Sequence, residues 1–293
     1  MAASSTDGVL PIDKPAGPTS HDIVARARKA LGIRRIGHTG TLDPFASGLL
    51  LLCIGRATRL AEYLTGLPKT YEATLRLGVR TDTDDLTGAV VSESDAWQTL
   101  SREAIEEALL ELRGTYDQVP PAYSARKVGG ERAYRIARAG ATPELEPAEV
   151  RVYDLEVTRV ALPEVDFTVR CSAGTYIRAI ARDAGERLGV GAHLSALRRT
   201  SIGEFGVAQA LPADSLEDEV ARAAAFVSPV DAVAHLPQLD VVDDDALDIR
   251  HGRTIAAPSG LHGTVAITSA GALLAIGESD GSVIRPRKVF ADD

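Results

Sequence analysis

Cysteine is scarce in this chain: two in 293 residues, Cys53 and Cys171. Both lie in apolar, strand-like runs, which suits small buried hydrophobes in a reducing compartment and argues against a disulfide. With no further ligands beside them they do not make a zinc site. Long hydrophobic runs are also missing. The longest, Leu49 to Ile54, falls far short of the roughly 20 residues a membrane helix needs, and no basic, apolar leader opens the chain. A cytoplasmic protein without a membrane partner is expected. Positive charge is in deficit as well, with 32 Lys and Arg against 41 Asp and Glu and a formal net charge of −9. Taken as an average this argues against a nucleic-acid partner, because phosphate binding rests on Lys and Arg releasing counterions. The charges are segregated, however. Acid collects late, in DSLEDE (214–219) and DVVDDDALD (240–248), whereas Lys14, Arg26, Arg28, Lys29, Arg34 and Arg35 come early and Arg126, Lys127, Arg132, Arg135 and Arg138 form a second basic cluster. That distribution leaves room for a basic groove on an acidic molecule. Internal repeats and low-complexity tracts are absent.

What is present is enough for one large domain and a small one, with 45% hydrophobic residues. Residues 1–8 read as a disordered tail. GVLPIDKP reads as a short strand, and Thr19 with Asp22 predicts a capped helix running to about Leu31 and closed by Gly32. A loop over 33–47 leads to a buried strand at 49–54, a helix over about 56–64, and TYEATLRLG, whose alternation predicts a half-buried strand. TDTDDLTG resembles a calcium loop in its spaced aspartates, but counting from Asp82 it has Leu86 and Thr87 where that pattern wants Asp or Asn and then Gly, so a polar loop is expected instead. Ser101 starts a helix to about Arg113. Pro, Gly and basic residues then interrupt regularity over about 120–148, the mark of an insertion protruding from a sheet. Strands are expected at 150–160 and 165–172, a strand, turn and helix in CSAGTYIRAIARDAGERLG, loop and strand over 191–211, and a helix over about 216–226. Glycine-bounded short strands after about residue 237 predict a small β-rich unit.

The most informative stretch is GHTGTLDPFASGLLLLCIGRATR, residues 37–59. It sets Asp43 in a tight turn framed by Gly37, Gly40, Gly48 and Pro44, directly before a rigid strand. Asp before Pro is also a common turn dipeptide, and by itself a structural cap explains Asp43 as well.

The whole string decides between them. GHTGTLDP, KTYEATLRLG, PPAYSARK and CSAGTYIRAIARD resemble, in order and separation, segments of the TruB family, the bacterial tRNA pseudouridine 55 synthases; the likeness covers about residues 8–229. It implies an α+β fold with a mixed, largely antiparallel sheet and flanking helices: a catalytic domain over 9–236 carrying an RNA-gripping insertion, then a PUA-like RNA-binding β domain over 237–293. It implies isomerisation of uridine to pseudouridine in the tRNA T loop by a monomer without cofactor or metal, after the base is taken out of its stack. Asp43 matches the catalytic aspartate. Its role stays open between attack on ribose C1′, attack on uracil C6 and removal of the 2′ proton. Arg178 is implied as its counterion, Tyr71 and Tyr176 as pocket aromatics, and His38 as a residue holding the extruded loop. Arg126, Lys127, Arg132 and Arg135 are expected to grip the RNA, with Lys14, Lys69 and Arg198 as further backbone contacts. Two rivals remain: a tRNA-folding protein that only opens and refolds the T arm, and a metal-dependent phosphotransfer enzyme built on TDTDD.

Overall fold

The computed structural model describes residues 7–290. In chain order the strands of its first sheet and side hairpins are β1 (Gly8–Lys14), β2 (Ile36–His38), β3 (Ser47–Ile54), β4 (Lys69–Leu77), β5 (Val79–Thr81), β6 (Val90–Glu93), β7 (Gly114–Gln118), β8 (Lys127–Val128), β9 (Glu131–Arg132), β10 (Ala148–Ala161), β11 (Glu164–Cys171), β12 (Ala192–Ile202), β13 (Phe205–Gly206) and β14 (Leu211–Pro212). The helices are α1 (Ser20–Leu31), α2 (Ala61–Thr65), α3 (Arg102–Leu110), α4 (Ala133–Arg138), α5 (Ile177–Arg187), α6 (Glu219–Ala225), α7 (Pro229–Ala232) and α8 (Asp243–Arg250). The tail expected over 1–8 lies outside the described residues up to residue 6. At its end the expectation is corrected, because Gly8 already pairs with Ile54 in β1.

Ten strands form one sheet in the order β14-β1-β3-β12-β4-β11-β10-β7, with β2 on β3 and β13 on β12. It is mixed and largely antiparallel, the two parallel contacts being β1 with β14 and β3 with β12. The β3–β12 contact consists of two residue pairs, Arg198 with Ser47 and Arg199 with Gly48, and it joins the two halves of the sheet. Gly48 has φ +104°, and a Cβ there would lie 2.2 Å from the Arg199 carbonyl oxygen, so the joint requires glycine. One half packs α1 against Leu10, Ile12, Leu50 and Leu52. The other packs α5 and α3 against Leu75, Phe167 and Leu194.

Local rules account for the helix ends. Thr19 accepts from the Asp22 amide while Asp22 reaches back to Thr19, and Gly32 closes α1 in the left-handed region. Ser101 caps α3. The helix expected over 56–64 begins as a 3₁₀ turn, residues 55–60, before α2.

A second sheet has the order β15 (Gln238–Asp240), β17 (His262–Ser269), β18 (Ala272–Asp280), β19 (Val283–Val289), β16 (Ile255–Ala256). It is docked on the first: Ala266, Leu273, Ile276 and Phe290 share an apolar cluster with Val9, Leu49, Leu51 and Leu60. The Arg59 guanidinium donates to the Val289 carbonyl, and Lys288 pairs with Glu62. No helix among the described residues is long and apolar enough to cross a membrane.

Candidate active site

The loop between β2 and β3 is clamped from both sides of Asp43. The Ser20 hydroxyl donates to the Leu42 carbonyl (3.1 Å) and accepts from the Leu42 amide (2.9 Å). On the other side the Gly17 amide donates to the Pro44 carbonyl (2.7 Å). Arg199 donates to the Gly40 carbonyl (3.1 Å) and to the Leu49 carbonyl (2.7 Å). An acid whose neighbours on both sides are held in this way is pre-oriented.

Arg178, in the first turn of α5, meets it. Its Nε lies 2.9 Å from Asp43 Oδ2 and its Nη2 3.4 Å from Oδ1, a two-pronged pair. The Arg178 side chain is 5% exposed, against 34% for Asp43, so the cation is fixed and the acid faces open space. The rest of the guanidinium is occupied by the Thr83 carbonyl (2.8 Å), the Tyr123 carbonyl (3.1 Å) and Asp85 Oδ2 (3.4 Å). Burial raises the proton affinity of Asp43; Arg178 opposes this, Asp85 adds to it and Lys14 opposes it weakly.

Asp85 is thus a site residue that sequence reasoning missed. TDTDDLTG is a polar loop as expected, and its carboxylates are committed. Asp85 Oδ1 accepts from Thr83 and Thr87, Asp84 pairs with Arg182, and Asp82 accepts from the Ala89 amide. Among the described residues no group of three or more His, Cys, Asp or Glu is placed to hold a metal ion. Gln118 is a second missed residue. It is buried at the end of β7, accepts from the Tyr176 amide (2.8 Å) and donates to the Tyr176 carbonyl (3.2 Å), fixing the start of α5 two residues before Arg178. Its signal was the strand preceding the insertion, in which a lone glutamine has no apolar reason to point inward.

Asp43, Arg178, Tyr71 and Tyr176 line one cavity of about 280 Å³, together with Gly40, Lys69, Tyr123, Ser124, Leu197 and Arg199. That volume is just below the ~300–1,000 Å³ range of ligand sites. Tyr71 is 7% exposed, and burial holds its hydroxyl protonated, with Arg199 opposing. Leu197, Tyr71 and Ile177 supply apolar walls.

Other predicted residues fall elsewhere. His38 lies outside the cavity, edge-on to His21 with ring centroids 5.3 Å apart. Burial lowers its proton affinity, and its Nδ1 has no hydrogen-bond partner among the described residues. Lys14 is corrected: it is fully buried, and its ammonium donates to the carbonyls of Pro15, Pro18 and Pro44, so it braces the loop that carries Asp43 and is not open to an RNA backbone. Lys69 is corrected likewise, 6% exposed with its ammonium on the Thr65 and Leu67 carbonyls. Both lysines sit where a strand meets a proline turn, and several backbone carbonyls gather around each ammonium there. Arg198 pairs with Asp13 and stays half-buried on the opposite face of β12 from Arg199. Arg126, Lys127, Arg132 and Arg135 are exposed on the β8–β9 hairpin and α4, while Tyr123 and Ser124 at the root of the same insertion reach the cavity.

Residues 28–177 match the TruB family pseudouridylate synthase N-terminal domain, and residues 178–234 match the tRNA pseudouridylate synthase B C-terminal domain. The chain belongs to the TruB family of pseudouridylate synthases. It is 44% identical over 287 residues to a tRNA pseudouridine synthase B of Azoarcus sp. (strain BH72), covering 97% of this chain and 95% of that one. It is 46% identical over 281 residues to a tRNA pseudouridine synthase B of Mycobacterium sp. (strain KMS), covering 94% and 90%. Among solved structures, an H/ACA RNP bound to a substrate RNA containing 2′-deoxyuridine superposes with a TM-score of 0.75 at 28% identity, covering 97% of this chain and 85% of that one. The TruB family matches meet between Ile177 and Arg178, so Asp43 and its counterion come from different segments that the fold brings together.

Proposed function

We propose that this chain isomerises uridine to pseudouridine in tRNA, at position 55 of the T loop. The observation that carries the reading is the Asp43–Arg178 pair: an acid clamped on both sides, held by a buried guanidinium, and facing a cavity the size of one nucleobase. Detaching uracil at N1 builds positive charge on ribose C1′, which a fixed carboxylate stabilises by charge or by covalent attack. Arg178 keeps Asp43 ionised against the burial that raises its proton affinity. Tyr71 and Tyr176, which line the cavity, flank the base, and Tyr71 takes part in moving the C5 proton. The exposed basic insertion grips the arm while the target nucleotide is extruded, recognising shape and splayed bases more than a duplex code. His38 supports the extruded loop from outside the cavity, and the second sheet adds contacts to the tRNA body.

The test is tritium release from an unmodified tRNA transcript labelled at uracil C5, with chelator present, for wild type and Asp43→Asn. Release by the wild type alone, mapped to the T loop, is expected. A wild type that binds tRNA tightly and releases nothing would reassign the chain to opening and refolding the T arm, and activity lost to the chelator would revive the phosphotransfer reading.

A further inference from the structure

Most buried arginines near the site are neutralised. Arg178 faces Asp43 and Asp85, and Arg182 faces Asp84 and Asp183. Arg199 and Lys69 are different. Both are buried, at 1% and 6% exposure, and both line the cavity. Their ammonium and guanidinium donate to backbone carbonyls, Arg199 also bonds the Tyr71 hydroxyl, and among the described residues no carboxylate lies within ion-pair distance of either. They also converge: a methyl group placed on Gly40 would lie 3.6 Å from Lys69 Cε and 3.7 Å from Arg199 Nη1. Strand geometry aims them together. Lys69 and Tyr71 are two residues apart on one face of β4, and Arg199 is the ladder partner of Tyr71 on β12.

Two adjacent buried cations without a counterion cost stability unless negative charge arrives beside them. We propose that Lys69 and Arg199 form a seat for negative charge in the cavity, which stabilises the uracil ring as it leaves the ribose. The inference rests on the pseudouridine synthase reading. When the N1–C1′ bond breaks, both electrons stay with N1, and uracil becomes an anion whose charge spreads onto its carbonyl oxygens. C1′ is left electron-poor opposite Asp43. The ring turns, C5 forms the new bond to C1′, the C5 proton is lost, and N1 takes up a proton. Through these steps the detached anion must neither escape nor be protonated early, and a fixed pair of cations lining the cavity meets that need. Asp43 with Arg178 thus serves the ribose side and Lys69 with Arg199 the base side, with Tyr71 close enough to feel both Asp43 and Arg199.

The experiment compares T-arm hairpins carrying uridine or 5-fluorouridine at the target, because fluorine makes the departing uracil a more stable anion. Single-turnover loss of the target nucleoside is measured for wild type, Arg199→Met and Lys69→Met, with RNA affinity across a salt series. On uridine, Arg199→Met is expected to slow the reaction about 100-fold, as the loss of one donor to developing negative charge does. On 5-fluorouridine the loss is expected to be clearly smaller, with affinity and its salt dependence unchanged. Equal losses on both substrates overturn the proposal, and weaker binding with a flatter salt dependence assigns the pair to an RNA phosphate. If Arg199→Met does not fold, Lys69→Met carries the same comparison. A wild type inactive on uridine overturns the functional reading and this inference with it, whereas equal losses with an active wild type overturn this inference alone.

Discussion

Arg178 stands between two carboxylates, and the less obvious of them sets where it points. Asp43 takes Nε and Nη2 from the open side; Asp85, buried and itself held by Thr83 and Thr87, approaches Nη1 from behind. Asp85→Asn keeps the shape and cancels the charge, so the guanidinium loses its rear anchor and can drift towards other partners. Single-turnover rate on tRNA is expected to fall about 10- to 100-fold, the scale on which small misplacement acts, while RNA affinity holds. An unchanged rate would mean that the Thr83 and Tyr123 carbonyls suffice. At this scale the sequence was legible where a residue's surroundings are local. Asp43 between glycines and proline, and Arg178 beside Tyr176, stood out in their own motifs. Lys14, Lys69 and Arg199 were misread or missed because a basic side chain looks the same in sequence whether it faces water or a buried carbonyl.

Elements were legible in proportion to their periodicity. β4 alternates buried and less buried positions along its length, as TYEATLRLG predicts. The segment expected as loop and strand is instead mostly β12, an 11-residue strand at the centre of the sheet. Arg198 and Arg199 interrupt its apolar pattern, and the strand's period of two sends them to opposite faces, one to Asp13 and one into the cavity. The basic insertion carries the β8–β9 hairpin and α4, with its basic side chains exposed. Its hairpin turn uses Gly129 and Gly130, both at positive φ, as a two-residue turn between twisted strands requires. The exposed Arg132 and Arg135 belong to this element and do not line the cavity, so they should act on binding and not on chemistry. Reversing both to glutamate is expected to weaken tRNA binding and to lower the slope of log affinity against log salt by about one per lost phosphate contact. A filter-binding series from low to high salt checks it, and an unaltered slope would place the RNA elsewhere.

On the scale of the whole molecule, charge is distributed by burial as much as by face. Lys14 lies beneath the loop that carries Asp43, and burial lowers its pKa from 10.5 to about 8. Below pH 8 the folded protein carries a buried charge at a cost. Between pH 8 and 10.5 the folded state has released that proton while the unfolded chain still holds it, so stability rises with pH. Relative to Lys14→Met, the wild type is therefore expected to gain unfolding free energy across that window, by urea unfolding at pH 7 and pH 10; a constant difference would show that the ammonium is not desolvated. The second sheet obeys the same global logic. Its short strands were legible from glycine spacing, but its docking through Phe290 and Leu273 onto Leu49 and Leu60 was not, because the two surfaces are about 200 residues apart in sequence. By itself the sequence determined the elements with strong local signals, the clamped aspartate and the family. Only the tertiary structure decided which cations are buried, which carboxylate stands behind Arg178, and that the site lies where two halves of a sheet meet. Those depend on neighbours from distant segments, and desolvation, which turns a surface lysine into a brace or a surface arginine into a charge seat, is a property of the packed molecule and not of the chain.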